Sequence, residues 1–115
     1  MTDKNEFKFP SKIMGTSFDG RQQLIKNLSI GQALILVREP ENEYDPNAIA
    51  IYNQSDEHLG YVAKETAAKI NNDVKQGNVV CTVAEITGGT AGKENFGCNI
   101  TLFVTREGTK ENGEN

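Results

Sequence analysis

The chain has 115 residues and a net charge of −4, enough length for one domain with its own core and no basic coat for nucleic acid, so such a ligand would need a local site. Two Cys and one His exclude a four-ligand zinc site built from Cys and His within one chain. No apolar run approaches the ~20 residues of a membrane span and Met1 to Glu6 lack a signal peptide's basic and apolar regions, so a reduced, cytoplasmic chain is expected.

In chain order, residues 1–7 are polar and expected to be loose. Phe9 to Thr16 reads as a first strand, with Pro10 as an early interruption. Arg21 to Leu28 places Leu24, Ile25 and Leu28 at helical spacing, which predicts a short helical segment over 21–28. Ala33 to Val37 is a continuous apolar run of strand length. Pro40, Asn42, Asp45, Pro46 and Asn47 mark Glu39 to Asn47 as a long turn. Ala48 to Tyr52 and His58 to Val62 are two further strands, joined by a turn at Asn53 to Glu57.

Lys64 to Lys75 is the clear helix. Ala67, Ile70 and Val74 form one apolar stripe, and Gly77 lies just past its end. Val79 to Ile86 and Asn99 to Thr105 predict a closing hairpin. In the second strand, Cys98, Ile100, Leu102 and Val104 alternate with Asn99, Thr101 and Phe103. Gly88 to Lys93 connects the two. Arg106 to Asn115 contains no apolar residue and is expected to be a disordered tail. The expected organisation is a loose N-terminus at 1–7, one domain at 8–105 and a polar tail at 106–115. About six short strands with a helix at 64–75 and a helical segment at 21–28 predict a mainly β fold, a small closed barrel.

Glu39, Glu41, Glu43 and Asp45 fall within seven residues. Without them twelve acids face twelve bases, so the whole negative excess sits in this turn. A solvated turn accounts for it, and so does a loop that recruits a basic partner. The Gly88–Lys93 loop fails as a phosphate loop. Thr87 stands where the first Gly belongs, and Glu94 stands where the Mg²⁺-binding hydroxyl belongs. Cys81 and Cys98 are expected to be neighbouring core residues of the hairpin. His58 has no partner that reads as a nucleophile pair. With no metal cluster or phosphate loop legible either, neither catalysis nor a cofactor is expected. Tyr44 is an aromatic on a loop: it either lids the barrel end or offers a stacking face to a base. Asn42, Asp45 and Asn47 can each cap backbone groups of the turn.

One stretch is more specific than the rest: Arg38-Glu39-Pro40-Glu41-Asn42-Glu43-Tyr44-Asp45-Pro46-Asn47-Ala48-Ile49. With Gly15, Phe18-Asp19-Gly20-Arg21 and Gly31 before it, and Leu59-Gly60-Tyr61-Val62-Ala63-Lys64 with Ala67 after it, the chain resembles a HIRAN domain. That module stands at the N-terminus of Swi/Snf-type DNA-repair motors. The resemblance implies an OB-like barrel that binds single-stranded DNA and, in some members, captures a free 3′ end. The family's site roles would fall to Phe18 after the first strand, Tyr44 with Asp45 in the central loop, Lys64 opening the helix, and Phe96 before the last strand. The basic residue preceding the first aromatic is Ser17 here, with Arg21 the nearest replacement. The Pro before the Tyr-Asp pair is Glu43. No motor accompanies the barrel in these residues, so the expectation is binding alone or beside a partner such as a helicase or nuclease. Single-stranded DNA is the expected ligand, with RNA as the variant. The rival is a peptide-binding barrel whose loop acids take a basic partner.

Overall fold

The computed structural model describes residues 4–18 and 20–107. It contains β1 (Lys4–Met14), α1 (Arg21–Lys26), β2 (Ala33–Arg38), β3 (Ile49–Tyr52), β4 (His58–Val62), α2 (Lys64–Lys75), β5 (Val79–Thr87) and β6 (Gly97–Glu107). The strands close into one antiparallel barrel in the order β1-β4-β3-β2-β5-β6. The expected six-strand barrel is therefore observed, with its two helices.

The barrel interior follows from period-two alternation. Cys98, Ile100, Leu102 and Val104 of β6 are buried, and the residues between them are partly exposed. Ile49, Ile51, Leu59, Ile70 and Ile25 are fully enclosed, each contributing about 1.5–3 kcal/mol by leaving water. Helix α2 adds Ala67 and Ile70 to this core. The β1–β4 seam is short, with Ile13 opposite Val62 and Met14 opposite Tyr61. Gly60 makes it possible. Its φ is 148°, and a Cβ there would lie 2.3 Å from the Met14 carbonyl oxygen. No other residue lets the two backbones approach so closely.

Several boundaries differ from the sequence reading. Lys4 to Phe7, expected to be loose, pair with Val104 to Glu107, so β1 begins before Phe9 and ends at Met14. Their side chains are exposed, and the ladder rather than burial orders them. Arg106 and Glu107, assigned to the tail, extend β6. Arg106 anchors that extension: its Nε and Nη2 donate to the two carboxylate oxygens of Asp73 at 3.0 and 2.8 Å. Asp73 is buried on α2, so this two-pronged pair clamps the helix to the last strand. Helix α1 stops at Lys26, and Leu28 is buried beyond its end. Strand β3 starts one residue after Ala48. Residues 1–3 and 108–115 of the two expected tails lie outside the described residues, as does Asp19. Among the described residues no helix is long and apolar enough to cross a membrane.

Candidate nucleic-acid interface

The turn between β2 and β3 is built by its own side chains. Asn42 Oδ1 accepts the backbone N–H groups of Tyr44 and Asp45 at 2.8 and 3.1 Å, and Asn42 Nδ2 donates to Glu39 Oε1 at 2.9 Å. Asp45 Oδ1 accepts the Asn47 N–H at 2.9 Å. Local caps of this kind fix a backbone without a core. The Tyr44 ring is consequently free, and 87 % of the residue is exposed. It lids nothing, which removes one of the two readings of this aromatic. Among the described residues, Asp45 Oδ2 carries no hydrogen bond.

Helix α2 begins beside this turn. Its N-cap is Ala63, which has no side chain to cap the helix, and Ala67 N–H is bonded to Ala63 C=O at 2.8 Å. The N–H groups of the first turn before Ala67 thus lack helical acceptors. Lys64 is the first helical residue. Tyr44, Asp45 and Lys64 line one cleft of about 420 Å³, whose apolar floor is Met14, Tyr61 and Val62. Tyr61 is held from behind: its hydroxyl donates to Glu39 Oε1 at 3.0 Å. Burial, and then this bond to a carboxylate, raise the Tyr61 pKa.

Phe18 and Phe96 are not in that cleft. A second cleft, of about 340 Å³, shares Met14 with the first and is bounded by Ser17 and Gly97. Phe18 and Phe96 are the neighbours of those two rim residues. Phe18 is 61 % exposed, and its ring edge lies beside Gly15. Phe96 is half-buried and packs against the core. Gly89 lets its ring in, since a Cβ at Gly89 would sit 2.4 Å from it. The Phe96 backbone is also tied down. Gln22 Oε1 accepts its N–H at 2.7 Å, and Gln22 Nε2 donates to its carbonyl and to that of Thr16, both at 2.9 Å.

Arg21 faces inward to the fold's own acceptors. Its Nη1 donates to the Gly15 carbonyl at 2.8 Å, and its Nη2 to His58 Nδ1 at 3.0 Å. A guanidinium can only donate, so His58 is neutral with its proton on Nε2, which donates to the Gly60 carbonyl at 3.0 Å. The ring stacks on Tyr52, with centroids 4.9 Å apart, and meets Tyr61 edge-on. Burial, and then the Arg21 charge, lower the His58 pKa. Cys81 and Cys98 are both buried, but they are not opposite one another: Cys81 pairs with Leu102, and Cys98 with Ile86. Burial pushes their thiols up to about 12 and about 11, so both behave as small apolar residues. Among the described residues no group of three His, Cys, Asp or Glu could hold a metal ion.

Residues 7–105 match the HIRAN domain family. The chain belongs to that family. HIRAN domains bind nucleic acid, DNA included, and are binding rather than catalytic modules. Two solved structures share the fold. One is a protein from Lactobacillus plantarum, at 21% identity and a TM-score of 0.70, covering 90% of this chain and 99% of that one. The other is the HIRAN domain of human HLTF, at 19% identity and a TM-score of 0.67, covering 89% of this chain and 78% of that one. No curated protein matches the chain by sequence. In this HIRAN domain the sequence-based candidates fall into two groups: Tyr44, Asp45 and Lys64 converge, whereas Phe18 and Phe96 line neither cleft but adjoin in sequence residues of the second, and Arg21 bonds the carbonyl of Gly15, which lines it. Met14, Tyr61 and Gln22 escaped the sequence reading. Met14 and Tyr61 stand in strands like core residues, and only the pairing of β1 with β4 turns both outward.

Proposed function

We propose that this HIRAN domain binds single-stranded DNA and receives a free 3′ end in the Tyr44–Asp45–Lys64 cleft. The observation that carries the reading is the convergence, on one cleft, of an exposed ring, a carboxylate oxygen without a partner and a lysine at an uncapped helix start. A ring stacks on any base, at about 1–3 kcal/mol. The carboxylate accepts a hydrogen bond from a terminal hydroxyl, a group that an internal nucleotide lacks. Lys64 and the free N–H groups of α2 suit the last phosphate. Membership of a nucleic-acid-binding family favours this ligand over the basic peptide.

The test is a binding titration with three oligonucleotides: one ending in a 3′-hydroxyl, one in a 3′-phosphate, and a closed hairpin. The expected order is hydroxyl tightest and hairpin weakest. Asp45→Asn keeps an oxygen for the Asn47 cap but replaces the free oxygen by a donor, so it should erase the hydroxyl-over-phosphate preference while the melting temperature holds. Equal binding of all three by the native chain would exclude end capture. A ribo-oligonucleotide of the same sequence, bearing 2′-hydroxyls, decides between DNA and RNA.

A further inference from the structure

The second cleft has a chemistry of its own. Lys12 and Lys93 are the charged side chains among its lining residues, and both are exposed. The hydroxyl residues Thr16, Ser17 and Thr87 line it with them. Lys93 Nζ reaches Thr87 Oγ1 at 3.5 Å. The cleft is thus positive in a chain whose net charge is −4, and a surface cleft of one sign concentrates ligands of the other. Glu85 does not line the cleft; its carboxylate accepts from Asn99 Nδ2 at 3.0 Å and keeps its negative charge.

The two clefts are joined by β1. Lys12 and Met14 are two residues apart on that strand and so share a face. Met14 lines both clefts. A single strand leaving the first cleft across Met14 therefore meets Lys12 next, with Lys93 lining the same cleft. Single-strand sites on small barrels span ~4–16 nucleotides, more than one cleft of about 420 Å³ accommodates. We propose that the Lys12–Lys93 cleft is a second binding subsite, which holds backbone phosphates of the nucleotides preceding the bound end. The inference rests on the Tyr44 cleft being the end site. It also fixes the polarity of the bound strand, with the 5′ side running from Met14 towards Lys12.

The test measures affinity against salt for a dinucleotide and a decanucleotide, both ending in a 3′-hydroxyl. The native chain is expected to bind the longer one more tightly and with a steeper salt slope. Lys12→Ala with Lys93→Ala should lower decanucleotide affinity about 10-fold and flatten its slope by about 0.7 per lysine. Dinucleotide binding should not change. Lys69→Ala, an exposed lysine on α2, is the control and should leave both ligands unaffected. Native decanucleotide affinity and slope in the double variant would overturn the second subsite and leave the end site standing. Equal loss for both ligands would also overturn it, because the lysines would then act at the end site. Failure of the native chain to bind either ligand would overturn both readings.

Discussion

Tyr44 and Phe96 are both loop aromatics, and the fold treats them in opposite ways. The Tyr44 turn is stiffened from within by Asn42 and Asp45, so its ring contributes nothing to holding the loop and stands 87 % exposed. Among the described residues the Phe96 loop has no such internal side-chain caps. It is held by Gln22 across the barrel end and by the ring's own packing beside Gly89. An aromatic is released for binding when other groups fix its backbone; where the ring is itself the fastener, binding and stability are mixed.

The largest expected effect tests the fastener. Phe96→Ala should destabilise the domain by about 2 kcal/mol, below the ~3–5 of a fully buried Phe, measured by urea denaturation. A loss under half a kcal/mol would make Phe96 as free as Tyr44 and dissolve the contrast. Next, Tyr44→Ala should weaken single-strand binding by about 1–3 kcal/mol with an unchanged denaturation midpoint. A shifted midpoint would show that the exposed ring braces the loop after all.

Asn42→Ala sharpens the same contrast. It removes the acceptor of two backbone N–H groups, so stability should fall by about 1 kcal/mol. Binding should fall as well, because the Tyr44 ring loses its fixed position. A calorimetric midpoint and a titration on the same sample separate the two effects. The smallest effect concerns Arg21, which ties the Gly15 turn beside Phe18 to His58. Burial and the Arg21 charge hold the His58 pKa below its ordinary 6.5, so the unfolded chain takes up a proton first. Stability is then complete above about 6.5 and declines as pH falls from there towards the lowered folded value. His58→Gln should flatten the dependence in that window, as read from melting temperatures between pH 5 and 8. An unchanged slope would place His58 outside the linkage.

Much of the molecule was legible along the chain. The helix at 64–75, the apolar run of β2 and the alternation of β6 are local periodicities, and local periodicity determines which face is buried. The Tyr44 turn was legible for the same reason, since Asn42 and Asp45 bond groups within three residues of themselves. The extended ends of β1 and β6 were not. Lys4 to Phe7 and Arg106 are polar or exposed, and a ladder between residues about a hundred positions apart leaves no local pattern. Nor was the placement of Arg21, whose partners Gly15 and His58 come together only when β4 pairs with β1.

The sequence by itself therefore determined the strand and helix content, the inward rows of the barrel and the self-capped turn that frees Tyr44. The tertiary structure decided which residues meet. It brought Lys64 to Tyr44 and Asp45, turned Met14 and Tyr61 outward to floor their cleft, and placed Lys12 and Lys93 on one second cleft. The physical reason is barrel closure. The pairing of β1 with β4 depends on the close approach at Gly60, a contact between distant segments that no window of the sequence contains.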